Sequence, residues 1–317
     1  MNRLLIVLML LGALAPPVPG WQLVARDDFD GPLPAHWSAY DGDPTCCAAT
    51  FWRPGQVTTQ GGLLKVTSSR QPDGSWLSGG LSAAGWPDAV RTYGRYEARI
   101  KLDQGVGVSG VALLWPVANH WPPEIDYFEV WGKDPGRGTD TMTAHRAADN
   151  VQQAVVYHGD LSGWHTVAVD WLPESITYEV DGAVVGAVTD RSLIPAEPMW
   201  PAFQTHVELC QDVCPNASTP SSVSLWVDSL AIYRPIGSPP ATTATPPRTT
   251  TTPPQTATTP PQTGTAPPPS TSTTSTPPTA VAAPPPPSPS WVPTFLGLMA
   301  ASTAAGLLVL WLRRRRL

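Results

Sequence analysis

Residues 163–188 read GWHTVAVDWLPESITYEVDGAVVGAV, and this stretch predicts an all-β fold. Apolar and polar residues alternate along it, and β-branched and aromatic types predominate, which is typical of half-buried strands. Asp181 and Gly182 separate two alternating runs and predict a two-residue hairpin turn, because both residue types tolerate positive φ. The stretch therefore predicts three consecutive antiparallel strands, at 164–171, 175–180 and 183–188.

The same pattern continues on both sides of this stretch. Five further strands are predicted, at 93–102, 108–115, 124–131, 141–147 and 223–233. Many short strands at spacings of about 8–12 residues indicate a sandwich of two antiparallel sheets. We therefore predict one domain over residues 21–234, with Trp164, Trp171 and Trp226 in its core.

The charge of this domain restricts its partners. Residues 21–234 contain all 25 acidic residues and 13 of the 19 basic ones, so their net charge is −12 (13 − 25). Nucleic-acid binding needs clustered Lys and Arg that neutralise phosphates. The acidic balance therefore argues against nucleic acid as a partner.

The N-terminus carries an apolar segment that predicts export. Residues 4–15 form a short apolar run behind Arg3. This run is too short to span a bilayer as a helix, but it fits the apolar region of a secretory signal. We expect a signal peptide over residues 1–20.

The C-terminus carries a second apolar segment that predicts a membrane anchor. Residues 292–312 are uncharged and mainly apolar, and Arg313 to Arg316 follow at once. As a helix the segment would be about 31 Å long at 1.5 Å per residue, enough to cross a bilayer. Because positive residues stay on the cytoplasmic side, we predict a transmembrane helix at 291–312, a basic cytoplasmic tail at 313–317, and the folded domain outside.

The segment between domain and anchor is rich in proline and threonine. Residues 235–290 contain 19 Pro and 17 Thr. Such a composition cannot bury enough apolar surface to fold, and it favours extended polyproline II. We expect a disordered stalk that reaches on the order of 170 Å at ~3.1 Å per residue, holding the domain away from the membrane and within a cell wall.

Four cysteines occur in the chain, namely Cys46, Cys47, Cys210 and Cys214. An exported protein commonly oxidises its cysteines, so we predict disulfides, with three pairings open. No pair has the CxxC spacing typical of a zinc site.

Three carboxylates lie close together in the predicted strand that contains Glu-Ile-Asp-Tyr-Phe-Glu, residues 124–129. In a regular strand Glu124 and Asp126 share one face and Glu129 points to the other. One bulge near Tyr127 and Phe128 would shift the phase and return Glu129 to the face of the other two acids. Flanking tryptophans would let sugars stack on this acidic strip. The alternative is a solvent-facing acidic strand.

This motif resembles the bulged ExDxxE motif of glycoside hydrolase family 16, the laminarinase and lichenase group. Other segments resemble parts of the family in the expected order, namely RDDFDG (26–31), YGRYEARIKL (93–102), GVALLWP (110–116), GWHTVAVDWLPESITYEVDG (163–182) and WVDSLAIY (226–233). The resemblance implies a concanavalin-like β-jelly-roll sandwich of two curved antiparallel sheets, with a polysaccharide across the concave face.

The resemblance also implies catalytic roles. Glu124 is expected to be the nucleophile and Glu129 the general acid/base of a retaining glycosidase, with Asp126 between them. No cofactor is required for this chemistry. The family usually has Gly before the first glutamate, whereas this chain has Pro123, which leaves the shape of that loop and the choice of substrate open.

Four further residues are expected at the substrate. Trp115 matches the cleft tryptophan of the family, and Trp131 flanks the motif. Trp121 is either a subsite wall or a structural plug. His145 matches a histidine that hydrogen-bonds the sugar near Glu129, and the alternative is a satisfied core histidine.

Asp28 and Asp228 resemble positions that hold a structural calcium in parts of the family. A β-glucan is the first substrate expectation. Two other functions stay open, a transglycosylase of cell-wall polysaccharide and a non-catalytic glucan-binding module.

Overall fold

The structure is a computed structural model that describes residues 18–42, 51–146, 149–208 and 213–237. The chain divides into two compact units, 1–248 and 249–317, and the second lies outside the described residues. Within the described part, sixteen strands form two sheets, and every pairing between named strands is antiparallel. This confirms the all-β, two-sheet prediction.

One sheet, called the back sheet, has nine strands. Seven of them follow the order β14-β13-β12-β7-β16-β4-β3, while β1 pairs with β16 and β5 pairs with β4. The strands are β1 (Trp21–Asp27), β3 (Val57–Thr59), β4 (Leu64–Arg70), β5 (Trp76–Leu77), β7 (Gly94–Leu102), β12 (His165–Leu172), β13 (Ser175–Val180), β14 (Ala183–Val188) and β16 (Ser222–Pro235).

The other sheet, called the front sheet, has seven strands in the order β11-β10-β9-β8-β15-β6-β2. The strands are β2 (Ser38–Ala39), β6 (Gly80–Ser82), β8 (Val108–Pro116), β9 (Glu124–Val130), β10 (Thr139–His145), β11 (Gln152–His158) and β15 (Met199–Val207). Its central strand β8 lies between β9 and β15, so the acidic motif sits one strand from the centre. Three short 3₁₀ turns complete the described regular structure, at Pro54–Gln56, Pro87–Ala89 and Arg191–Leu193.

The core fills the space between the two sheets. Tyr96 and Ile100 of the back sheet and Ile125 and Phe128 of the front sheet belong to the same fully buried cluster. Alternation along each strand sends one set of side chains into this layer and the other set outward. The outward face of the front sheet is therefore free to carry a site.

The hairpin prediction is confirmed. Val180 pairs with Ala183, and the two intervening residues, Asp181 and Gly182, have φ of 51° and 76°. These positive values fit a two-residue turn whose twist matches that of its strands.

Several strands were not predicted, and β15 is the instructive case. Pro201 lies within this strand, and proline normally indicates an edge or an end because it lacks an N–H. The carbonyl of Pro201 accepts from Ala83 N, just beyond the last residue of β6. The nitrogen of Pro201 therefore faces the end of β6. The missing N–H removes little of the hydrogen bonding between β15 and β6 there.

The prediction for the three tryptophans is right for one and wrong for two. Trp171 is fully buried, but Trp164 and Trp226 are half-buried on the outer face of the back sheet. Lys101 lies over both indole rings, at 5.2 Å and 5.8 Å from their centroids. These cation–π contacts stabilise both tryptophan side chains on the surface, without burial in the core.

The predicted signal peptide lies outside the described residues except for its last three positions, and the stalk from residue 238 and the anchor lie outside altogether. No helix in the described part of the chain is long and apolar enough to cross a membrane. Cys214 carries a free thiol. Each of the three predicted pairings includes Cys214, so the bridge to Cys214 is wrong. The other three cysteines lie outside the described ranges, so a disulfide among them stays a prediction.

Candidate active site

A bulge in β9 brings the three acids of the motif to one face. Asp126 lies opposite Leu113 of β8 and Phe128 lies opposite Ala112, so Tyr127 is the extra residue, which confirms the predicted bulge. Glu129 then lies opposite Val111.

Residues directly opposite each other share a face of the sheet, and so do residues two apart on one strand. Val111 and Leu113 are two apart on β8, so Asp126 and Glu129 share their face, and Glu124 joins them by regular alternation. Ile125 and Phe128 point the other way, into the core. The sequence-predicted trio is therefore brought together.

Glu124 starts the strand and is held by the preceding loop. The indole nitrogen of Trp121 donates to Glu124 Oε2 at 2.9 Å, while Trp121 itself remains 49% exposed. The loop is tied down by His120, whose ring nitrogens contact Pro122 O at 2.9 Å and Glu197 Oε2 at 3.1 Å. Trp121 therefore both walls the site and orients a carboxylate.

Asp126 is almost fully buried, with 2% of its surface exposed, and it faces His145 on β10. His145 Nε2 lies 3.1 Å from Asp126 Oδ2, and His145 Nδ1 lies 2.7 Å from Asn150 Oδ1. An amide oxygen only accepts, so Nδ1 carries a proton and one further proton is shared between Nε2 and the carboxylate.

Burial raises the pKa of Asp126, and the hydrogen bond from His145 opposes that rise. Burial lowers the pKa of His145, but the hydrogen bond and charge of Asp126 outweigh it, so the net pKa is raised. The two groups therefore form a hydrogen-bonded pair that holds one proton between His145 Nε2 and the Asp126 carboxylate. The strand register places His145 opposite Glu124, which corrects the expectation that it lies near Glu129.

Glu129 has a different environment. Burial, together with the charges of Asp126, Glu124, Asp140 and Glu208, raises its pKa to about 10. A carboxyl that is penalised for ionising keeps its proton at neutral pH. Glu129 is thus suited to donate a proton, whereas Glu124 sits beside the Trp121 donor.

Asp140 of β10 was not identified from the sequence. It is fully buried, and its Oδ1 accepts the backbone N–H of Glu129 at 2.7 Å. Its Oδ2 is buried without a partner among the described residues, as are the hydroxyls of Tyr127 and Tyr178. Burial raises the pKa of Asp140 to about 7. A lone Asp in a strand gives no signal of such a contact, because the contact depends on the bulge across from it.

Aromatic and apolar side chains line the same face. Trp115 packs on a small cluster of Val111, Leu113 and Ala202, separate from the main core, and its indole nitrogen donates to Asn119 at 3.0 Å. This supports the placement of Trp115 on the open face.

Trp131 lies two residues past Glu129, with its ring 6.3 Å from that of His206 and the Lys133 ammonium 5.6 Å from its centroid. Ser109 and Gly132 N both contact Glu208 Oε1. His206 and Glu208 were missed because His206 lies in the unpredicted strand β15 and Glu208 follows it.

Tyr40 is a further missed residue of the site. Burial and the charge of Glu124 raise the pKa of its phenol. The ring centroid lies 4.9 Å from that of Trp52, with the two planes tilted by 54°. The ring also lies so close to Gly80 that a Cβ there would be 2.3 Å from it. Glycine at position 80 is therefore required for the Tyr40 ring to pack in this place.

Asp28 and Asp228 are each ion-paired with an arginine, Arg26 at 2.6 Å and Arg99 at 3.5 Å. Among the described residues the one group of three ligating side chains that could hold a metal ion is Glu124, Asp126 and His145. The calcium expectation stays a prediction.

The fold and the site define the class of the protein as a two-sheet β sandwich with an acidic, aromatic-lined face. Residues 47–209, slightly more than half of the chain, match the family "Glycosyl hydrolases family 16". The chain therefore belongs to glycosyl hydrolase family 16, as the resemblance implied.

Relatives with similar sequences are glucanases and glycanases. An endo-1,3-1,4-beta-glycanase of Rhizobium meliloti is 31% identical over 112 residues, which cover 35% of this chain and 24% of that protein. A beta-glucanase of Rhodothermus marinus is 28% identical over 208 residues, which cover 57% of this chain and 70% of that protein. The chain thus matches about a quarter of the first relative and most of the second.

Solved structures share the fold. The catalytic domain of an endo-1,3-beta-glucanase (laminarinase) from Thermotoga petrophila has a TM-score of 0.61 at 20% identity, covering 68% of this chain and 98% of that one. The laminarinase from Rhodothermus marinus has a TM-score of 0.59 at 24% identity, covering 69% and 100%. These similarities establish the β-jelly-roll architecture.

Proposed function

We propose that the protein is a retaining endo-glycosidase that hydrolyses a β-glucan. The observation that carries this proposal is the β9 bulge, which gathers Glu124, Asp126 and Glu129 on one face with unequal environments. Family membership and the beta-glucanases among its relatives support the substrate class.

In the first step the Glu124 carboxylate attacks the anomeric carbon while Glu129 gives its proton to the leaving glycosidic oxygen. This step forms a glycosyl ester and leaves Glu129 ionised. In the second step Glu129 takes a proton from water, and the resulting oxygen attacks the same carbon and releases Glu124. Two inversions at one carbon retain its configuration.

The neighbours of each glutamate suit these steps. Trp121 donates a hydrogen bond to Glu124 and would orient it for attack. Asp126, paired with His145, adds negative charge beside Glu129. When Glu129 ionises after giving up its proton, that charge favours its re-protonation by water. Trp115 and Trp131 offer stacking surfaces for sugars on either side of the acids.

The test is reducing-end release by the full-length protein on β-1,3-glucan, mixed-linkage β-1,3-1,4-glucan, agar and xyloglucan. Proton NMR of the first product, taken before mutarotation, should show β-product from a β-glucan. An α-product would contradict double displacement. Chain lengthening with added oligosaccharide would instead favour the transglycosylase, and binding without turnover would favour the glucan-binding module.

We also propose that the protein is exported and held on the outer side of the cell membrane by residues 291–312. The support is the sequence pattern, an apolar run followed by four arginines. Protease added to intact cells should remove the folded domain and leave the C-terminal tail protected. Full-length protein in the medium with the apolar segment attached would contradict the anchor.

A further inference from the structure

We infer that Glu124, Asp126 and His145 together bind a divalent transition-metal ion, with Zn²⁺ the best-suited ion, and that the bound ion blocks the active site. The inhibitory consequence rests on the proposed function, whereas the binding itself does not. The inference starts from three donor atoms, one from each residue, that all lie within 4.8 Å of one another.

The donor spacing is close to that of a metal site. With bonds of 2.0–2.1 Å to a tetrahedral Zn²⁺, two ligand atoms lie about 3.4 Å apart. His145 Nε2 and Asp126 Oδ2 are already 3.1 Å apart. Glu124 is half-buried at the start of its strand, and one of its carboxylate oxygens lies within 4.8 Å of both other donor atoms.

The orientation of His145 is that of a ligand. Asn150 Oδ1 accepts from Nδ1–H at 2.7 Å, which turns Nε2 toward the two carboxylates. Histidines that ligate metals usually donate their second N–H to an oxygen in this way, which fixes the tautomer and the ring. A metal ion would replace the proton that Nε2 shares with Asp126.

Charge and donor type select the ion. Glu129 and Asp140 lie beside the three ligands, and Asp140 accepts the N–H of Glu129. The carboxylates of Glu124 and Asp126 outnumber the one imidazole of His145, and a dication would neutralise their excess negative charge. One imidazole and two carboxylates suit Zn²⁺, whereas Ca²⁺ takes six to eight oxygens and Mg²⁺ retains most of its water.

The consequence is competition with the substrate. The ion would bind the Glu124 carboxylate that the nucleophilic attack requires, and it would occupy the cleft beside Trp121. We therefore expect Zn²⁺ to raise the apparent KM for the glucan without lowering kcat.

The test is calorimetric titration of the full-length protein with ZnCl₂, after its thiols are alkylated so that cysteine thiolates cannot bind the ion. CaCl₂ and MgCl₂ serve as comparison salts. His145→Ala should remove one-to-one Zn²⁺ binding, and His158→Ala, at an exposed histidine on β11, should leave it unchanged.

Asn150 offers a matched pair of variants, because its φ is 56°. Asn150→Gly removes the acceptor without opposing this φ and should weaken Zn²⁺ binding about 10–100-fold. Asn150→Asp keeps the acceptor and should bind at least as tightly as the wild type. Equal affinity in the two variants, or full binding by His145→Ala, would overturn the inference.

The two proposals fail separately. Zn²⁺ binding that depends on His145, without turnover of any polysaccharide, would keep the metal site and refute the glycosidase. Turnover of a polysaccharide without Zn²⁺ binding that depends on His145 would keep the glycosidase and refute the metal site. If both hold, the Zn²⁺ concentration that doubles KM should rise in Asn150→Gly by the same factor as the dissociation constant.

Discussion

Two glutamates on one strand, Glu124 and Glu129, share a face of the front sheet but not an environment. Glu124 lies at the start of β9, beside a half-exposed loop, and receives a hydrogen bond from Trp121. Glu129 lies past the bulge, where burial and neighbouring acids hold its pKa far above the ordinary value. The comparison shows how position along one strand gives two carboxyls unequal environments, and the mechanism that we propose uses Glu129 as the protonated one.

The largest expected effect comes from removing either glutamate. Glu124→Ala and Glu129→Ala should each lower kcat by roughly 10²–10⁴-fold or more, without loss of the fold. Azide should separate the roles on an activated aryl glucoside. With Glu124→Ala it should yield the α-glycosyl azide, because azide replaces the nucleophile, and with Glu129→Ala the β-azide, because it attacks the glycosyl enzyme. The opposite assignment of products would exchange the roles.

A second prediction concerns Asp140, the buried acid that accepts the backbone N–H of Glu129. The folded-state pKa of Asp140 is about 7, above its ordinary value of 3.8, so between these values the folded protein holds a proton that the unfolded chain has released. Stability should therefore fall as pH rises from 4 to 7, by roughly 4 kcal/mol at most from this group. Asp140→Asn should remove that part of the slope in urea unfolding measured across pH.

A second variant of Asp140 serves as the control. Asp140→Leu leaves the Glu129 N–H without its acceptor and should cost about 1–3 kcal/mol at every pH, whereas Asp140→Asn keeps an acceptor. Because the Asp140 charge raises the pKa of Glu129, Asp140→Asn should also move the alkaline limb of kcat to lower pH. An unchanged limb would show that Asp140 acts on the fold alone.

A smaller effect on kcat is expected from a change at Trp121, which donates a hydrogen bond to Glu124. Trp121→Phe keeps an aromatic wall but removes the N–H that donates to Glu124. A hydrogen bond to a charged group contributes about 1.5–3 kcal/mol when buried. Because Trp121 is half exposed, we expect a loss of about five- to tenfold in kcat. A rise in KM alone would show that Trp121 serves only as a sugar platform.

The smallest effect contrasts the two faces of the molecule. Trp115→Ala, on the front sheet, should raise KM about three- to tenfold, in line with aromatic contacts of 0.5–1.5 kcal/mol. Trp226→Ala, on the back sheet beneath Lys101, should leave KM unchanged and reduce only stability. A similar rise in KM for both variants would place the glucan on more than the front sheet.

Much of the geometry of β9 could be predicted, because it depends on residues that lie close together in the sequence. Alternation places Glu124, Asp126 and Ile125, and one extra residue is enough to move Glu129 to the same side. Trp164 and Trp226 show the limit of this reasoning. Alternation tells which residues share a face, but in strands that are apolar on both faces it does not tell which face is the core.

By itself the sequence determined the all-β class, the hairpin at Asp181 and Gly182, the acidic trio and the bulge that unites it. These depend on chemical preferences and spacing within a few residues. Only the tertiary structure decided that Asp140 binds the amide of Glu129, that Asn150 turns His145 toward Asp126, and that the Tyr40 ring packs against Gly80. Each of those contacts joins different strands or loops. Their formation depends on sheet register and on which strands become neighbours, and long-range pairing sets both.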